Sequence, residues 1–106
     1  MNITKWDVAD YLNTQEDIAM YLDEILKIAR EDNTPGLFIQ ALGDVTRSKG
    51  MSEAAKKIRV GRESLYKSLS EKGNPSFYTI FKILDFLNLQ ISIGPVNKKK
   101  PAVING

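Results

Sequence analysis

A chain of 106 residues, 42% hydrophobic and 26% charged, has the size and composition of one small domain, and no apolar run approaches the ~20 residues of a membrane span. It contains no cysteine and no histidine, which excludes disulfides, thiolate nucleophiles, zinc fingers, Ser-His-Asp triads and imidazole acid–base chemistry. The net charge of +2 conceals a division: residues 1–46 carry net −6 and residues 47–106 net +8, so the second half suits a polyanion and the first repels one or attracts a basic partner.

The periodicity is helical along nearly the whole chain. Thr4 can cap a short helix over about 5–12, with Trp6, Val8, Ala9 and Leu12 as its apolar residues. Asn13-Thr14 interrupts it, and Thr14 followed by Asp17 is close to a capping box. A long helix to about residue 31 follows, with Ile18, Leu22, Ile25, Leu26 and Ala29 in one stripe that Tyr21 and Ile28 widen. Asn33-Thr34-Pro35-Gly36 is a break and restart, with Thr34 as cap and Pro35 in the first turn of a helix over about 35–48. Leu37, Phe38, Ala41, Leu42 and Val45 point inward there, and Gly50 is a left-handed terminator.

Two short helices come next. Ser52 can cap one over about 53–59, Val60-Gly61 is a tight turn, and the other spans about 62–70. A joint this short makes the helices cross steeply, so the crossing needs the small residues Ala54 and Ala55. Ile58, Val60, Leu65 and Leu69 are apolar anchors for packing both helices on one core, the helix-turn-helix arrangement. Lys72-Gly73-Asn74-Pro75 is a loop, and Ser76 caps a helix over 77–88. Gln90-Ile91-Ser92-Ile93 alternates polar and apolar residues as a short strand does. The expected fold is all-α, about six helices with a short C-terminal β-strand. Residues 1–94 form one domain, divided into N-terminal helices 1–34 and a helix-turn-helix region 35–94, and 95–106 is a flexible basic tail.

On helix 62–70, Leu65 and Leu69 point inward, and Arg62, Glu63, Tyr66 and Lys67 occupy the opposite face. Arginine can bind guanine through two hydrogen bonds, and glutamate can accept from cytosine N4. Ser64 can touch a base edge or a phosphate, and the helix start near Ser52 offers backbone N–H groups to a phosphate. Lys49, Lys56, Lys72 and Asn74 flank this face as candidate phosphate contacts. The carboxylate pairs Asp23-Glu24 and Glu31-Asp32 are typical of a solvated helix surface, so neither catalysis nor a metal or other cofactor is expected. Without a basic segment leading into an apolar stretch at its start, the chain reads as cytoplasmic.

Residues 37–93 resemble the Xre/λ-repressor-like helix-turn-helix proteins. Three runs narrow the resemblance: Gly50-Met51-Ser52-Glu53-Ala54-Ala55, Gly61-Arg62-Glu63-Ser64-Leu65-Tyr66-Lys67-Ser68-Leu69-Ser70, and Gly73-Asn74-Pro75-Ser76-Phe77. With Trp6-Asp7, Tyr11-Leu12, Ile18-Ala19 and Tyr21-Leu22, they look like the addiction-module antidote proteins, HigA-like antitoxins, up to about residue 94. The resemblance implies neutralisation of a RelE/ParE-type toxin and repression of the module by a dimer on double-stranded operator DNA. It implies a base-reading role for Arg62, Glu63, Tyr66 and Lys67, and backbone contacts near Ser52, Lys72 and Asn74. The family commonly has glycine where Arg59 stands; if that position needs a positive φ, Arg59 is strained by ~1 kcal/mol.

Helix 77–88 offers Phe77, Ile80, Phe81, Leu84 and Leu87 to the core and a second stripe of Thr79, Ile83 and Phe86. Ile83, Phe86, Leu89 and Ile91 are therefore expected at a homodimer interface, with strand 90–93 pairing with its symmetry mate. A basic toxin, as the resemblance implies, would meet the acidic half, with Trp6, Tyr11, Asp17 and Tyr21 as candidate contacts; Trp6 and Tyr11 equally fit a core. Two other readings stay open: a stand-alone repressor of phage or plasmid type, and a protein-interaction module without DNA binding, the latter favoured by the acid at Glu63.

Overall fold

The computed structural model describes residues 14–70 and 72–96. Five helices lie among them: α1 (Gln15–Glu31), α2 (Gly36–Lys49), α3 (Met51–Ile58), α4 (Arg62–Ser68) and α5 (Phe77–Phe86). The helix expected over 5–12 and the tail from residue 97 fall outside the described residues. α1 packs on α2, α2 on α3, and α3 on both α4 and α5.

Thr14 starts α1 as expected, its Oγ1 accepting a hydrogen bond from the Asp17 backbone N–H at 3.0 Å. Glu16 and Asp17 lie in the first turn and Arg30 in the last, the order the helix dipole favours. Ile18, Leu22 and Ala29 are buried and Tyr21 and Ile25 half-buried, but Leu26 and Ile28 are exposed. At 100° per residue those two stand about 80° to either side of the stripe's centre, beyond the strip that one neighbouring helix covers. The helix ends through Asn33 at φ 55, a left-handed conformation that asparagine tolerates.

α2 begins one residue later than expected. Pro35 precedes it, and the Leu37 N–H donates to the Thr34 carbonyl at 3.0 Å, so Thr34 contributes its backbone and not its hydroxyl. Ala41, Leu42 and Val45 are buried, and Leu37 is exposed. Thr46 is fully buried, its hydroxyl satisfied by donating to the Leu42 carbonyl at 2.7 Å. Gly50 ends the helix at φ 120, its N–H bonded to the Thr46 and Arg47 carbonyls. The same residue opens α3, so Ser52 is the second residue of that helix and not its cap. Gly50 turns the chain in one step because only glycine adopts this φ without strain.

α3 and α4 are joined by Arg59, Val60 and Gly61. Ala54, Ala55 and Ile58 on one side and Leu65 and Leu69 on the other are buried as the pattern requires; Val60 is exposed. Arg59 adopts φ 70, ψ 46, with its N–H and that of Val60 both donating to the Ala55 carbonyl. Strain of ~1–2 kcal/mol is expected for a non-glycine residue there. Arg59→Gly is therefore expected to stabilise the fold by about 0.5–1 kcal/mol, after subtracting the extra freedom glycine brings to the unfolded chain. Urea unfolding should register the gain, and a loss of stability would show that the Arg59 side chain contributes more than its backbone strain takes away.

Ser76 caps α5, accepting from the Thr79 N–H at 3.1 Å. The helix is rotated relative to expectation. Ile83, Leu84 and Leu87 enter the core with Ile80 beside them, while Phe77 and Phe81 are 68% and 52% exposed. Ile83 is 0% exposed within a single protomer, so it has no surface to offer a dimer partner. Residues 80, 83, 84 and 87 satisfy helical spacing as well as the stripe inferred from the sequence, and Phe81 stands about 110° from their centre. The strand expected over 90–93 is absent: residues 89–96 have no regular structure, and no strand among the described residues lies beside them. The Gln15 side-chain amide donates to the Leu87 carbonyl at 2.7 Å, tying the start of α1 to the end of α5.

Candidate nucleic-acid interface

α4 is only seven residues long, and its placement depends on its neighbours. Leu65 and Leu69, each 1% exposed, hold its inner face in the core. Two glycines admit its C-terminal end. A Cβ at Gly43, in the middle of α2, would stand 2.7 Å from the Leu69 carbonyl oxygen. A Cβ at Gly73 would collide with the carbonyls of Lys67 and Ser68. Two carbonyls of this helix are engaged locally, the Ser68 hydroxyl donating to Leu65 and the Ser70 hydroxyl to Lys67. Gly43 lies outside the residues expected to position this helix, although a glycine inside a helical pattern is a recognisable sign of close backbone approach.

The outer face of α4 carries Arg62, Glu63, Ser64, Tyr66 and Lys67, all exposed. Arg62, Glu63, Tyr66 and Lys67, the four residues inferred to read bases, line one open groove. It combines two cationic donors, one carboxylate acceptor, and an aromatic ring with a hydroxyl, the groups that recognise base edges.

Beside the groove stands a residue that the sequence pattern did not suggest. Arg47, near the end of α2, extends its guanidinium over the Tyr66 ring, 5.3 Å from the centroid. It forms an ion pair with Asp44 one turn earlier, and both side chains are largely buried. Asp44 also acts on α1: the Tyr21 phenol is pushed up from its usual pKa, chiefly by burial and secondarily by the Asp44 carboxylate. The i, i+3 spacing of Asp44 and Arg47 is legible in the sequence, but the approach of Arg47 to Tyr66 depends on how α2 and α4 pack.

The flanking candidates disperse. Ser52, Lys56, Lys72 and Asn74 are exposed outside the groove lining. Lys49 lines a different cleft, with Gln15, Phe86, Leu87 and Asn88. No side chain caps the start of α3, so its first N–H groups point out of the helix without a side-chain acceptor. On the acidic side, Trp6 and Tyr11 lie outside the described residues, and Asp17 and Tyr21 are half-buried. Asp23 pairs with Lys27 at 3.5 Å, both well exposed, a surface pair of little energetic weight. Of the residues expected in a dimer, Phe86 and Leu89 are half-buried and Ile91 exposed.

Among the described residues, no helix is long and apolar enough to cross a membrane. No solved structure matches the chain. A protein of Haemophilus influenzae, itself designated uncharacterized, is 46% identical over 88 residues, which is 83% of this chain and 87% of the relative. Residues 2–95 match the family described as "Probable addiction module antidote protein", which spans the groove, the helices that carry it and the acidic first half. The chain belongs to that addiction-module antidote family.

Proposed function

We propose that this antidote neutralises a RelE/ParE-type toxin by direct binding and represses its own operon through a helix-turn-helix formed by α3 and α4. One observation carries the DNA reading: Arg62, Glu63, Tyr66 and Lys67 share an exposed groove on a helix whose other face is locked into the core. The net +8 of residues 47–106 favours approach to a polyanion. Ser52, Lys56, Ser64, Lys72 and Asn74 supply phosphate contacts around that face, with Lys49 at its margin.

The toxin meets the acidic side. α1 displays Glu16, Asp23, Glu24 and Glu31 to solvent, with Asp17 and Tyr21 at its edge, and a basic partner gains by covering them. The family membership makes a toxin the natural basic partner.

The operator-binding form is a homodimer, because one helix-turn-helix reads too few base pairs for specificity. Ile91 and Ile93 are exposed apolar residues on a segment that has no ladder partner among the described residues, and Phe86 and Leu89 lie close by in the chain. Pairing with a second copy satisfies both the side chains and the backbone. Ile91→Asp is accordingly expected to halve the mass measured by light scattering, and an unchanged dimer would remove this segment from the interface.

The reading is tested by coexpression with the product of the adjacent gene, followed by purification and titration of the chain's own promoter DNA with salt. A small basic protein should copurify, and promoter affinity should fall linearly with log salt concentration. Absence of any copurifying basic protein defeats the toxin assignment, and affinity indifferent to salt defeats the operator assignment.

A further inference from the structure

Tyr66 is held differently from the other three residues of the groove. The Arg47 guanidinium lies over one side of its ring, 5.3 Å from the centroid, and is itself anchored by the part-buried ion pair with Asp44. Tyr66 is nonetheless 44% exposed and lines the groove with Arg62, Glu63 and Lys67. An aromatic ring clamped on one face presents its free face and edge in a single orientation. A planar cation held over a ring is favourable, and the arrangement strengthens as the cation loses water. The exposed remainder of the ring is an apolar surface between charged neighbours. In a major groove, the apolar feature that such a surface recognises is the thymine C5-methyl group.

Building on the operator reading above, we propose that Tyr66 contacts a thymine methyl in each half-site and that Arg47, outside the helix-turn-helix, is the positioning residue that aims it. Asp44 in turn holds Arg47. Recognition at this position thus depends on α2 as well as on the reading helix.

The test scans the promoter site with deoxyuridine in place of thymine, which removes one methyl group and leaves every hydrogen-bonding group intact. At one thymine per half-site, the wild-type chain should bind about fourfold more weakly, the worth of one buried methyl group. Tyr66→Phe should retain that penalty, because the ring makes the contact. Tyr66→Ala should abolish it. Arg47→Lys should also abolish it while preserving the charge beside Asp44 and the cooperative unfolding of the protein. The proposal is overturned if no deoxyuridine position weakens the wild-type chain, if the penalty survives in Arg47→Lys, or if Tyr66→Phe behaves like Tyr66→Ala.

A readout in the free protein separates the clamp from the operator reading. The Arg47 side-chain Nε–H resonance should be shifted by the Tyr66 ring current, and Tyr66→Leu should remove the shift. An unshifted resonance overturns the clamp whatever DNA does. A shifted resonance in a chain that binds no promoter DNA overturns the thymine contact together with the operator reading, and supports the clamp alone.

Discussion

Arg62→Ala combined with Lys67→Ala is expected to weaken binding to the chain's own promoter about a hundredfold or more. Each well-placed contact to a base edge is worth about 1–3 kcal/mol of discrimination, and two lost contacts multiply. Both side chains are exposed on the outer face of α4, so the fold should be untouched. The loss should therefore appear in a mobility-shift titration without a change in melting temperature. Lys27→Ala on the acidic side is the matched control, since it removes one exposed lysine from a surface pair that contributes little. The distinction from mere charge loss lies in sequence preference. Affinity for unrelated DNA should fall much less than affinity for the promoter, because phosphates attract any lysine or arginine while base edges answer only to aimed ones. Equal loss on both DNAs would move Arg62 and Lys67 from the reading face to the backbone.

The second large effect concerns the loop that closes behind the same helix. Gly73→Ala should destabilise the protein by about 3 kcal/mol, because the new methyl group lands on the carbonyls of Lys67 and Ser68. Those are backbone atoms near the end of a short helix, and they cannot swing aside as a flexible side chain would. For a domain of this size the loss corresponds to a fall in melting temperature of about 10–20 °C. Gly43→Ala acts on the same end of the helix from the other side, pressing on the Leu69 carbonyl at 2.7 Å, and should cost about 2 kcal/mol. Gly36→Ala is the control: nothing lies within 4 Å of its would-be Cβ, and thermal unfolding should be unchanged or slightly improved. If Gly73→Ala melts with the wild type, α4 is not held by close backbone approach at that loop.

The two glycines explain how so short a helix keeps a fixed orientation. Two buried leucines resist its removal from the core but leave it free to roll and tilt. Backbone contact at its C-terminal end restrains both motions, and Arg47 adds a restraint through Tyr66 on the groove side. The residues that orient the outer face of α4 thus lie on α2 and in the loop before α5.

The bounds of the five described helices are largely legible in the sequence, because their causes are local. Thr14 and Ser76 cap through their own hydroxyls within three residues, Gly50 turns the chain where a terminator was needed, and Ala54, Ala55, Leu65 and Leu69 are apolar at fixed spacings. Most of the outward set on α4 follows from the same arithmetic: once Leu65 and Leu69 point inward, Glu63, Tyr66 and Lys67 must lie away from them, whereas Arg62, three residues before Leu65, is exposed because it opens the helix. Arg59 illustrates the boundary. The resemblance to a family with glycine at that position raised the prospect of a positive φ, and φ 70 is what the turn adopts.

α5 misled because periodicity is ambiguous when too many positions are apolar. Phe77, Ile80, Phe81, Ile83, Leu84, Phe86 and Leu87 supply two legitimate stripes, and helical spacing ranks neither above the other. Choosing between them requires the shape of the core that the other helices build, which takes in Ile83 and leaves Phe81 exposed. The expected strand fails for a related reason: alternation describes one edge of a ladder, and a ladder needs a second edge that no local pattern guarantees. Helix ends, turn types and the polar face of a short helix obey interactions spanning three or four residues, so the residue order alone specifies them. The rotation of α5, the seating of α4 on Gly43 and Gly73, and the reach of Arg47 to Tyr66 arise from distant segments filling one shared interior, and come into being only when the chain closes on itself.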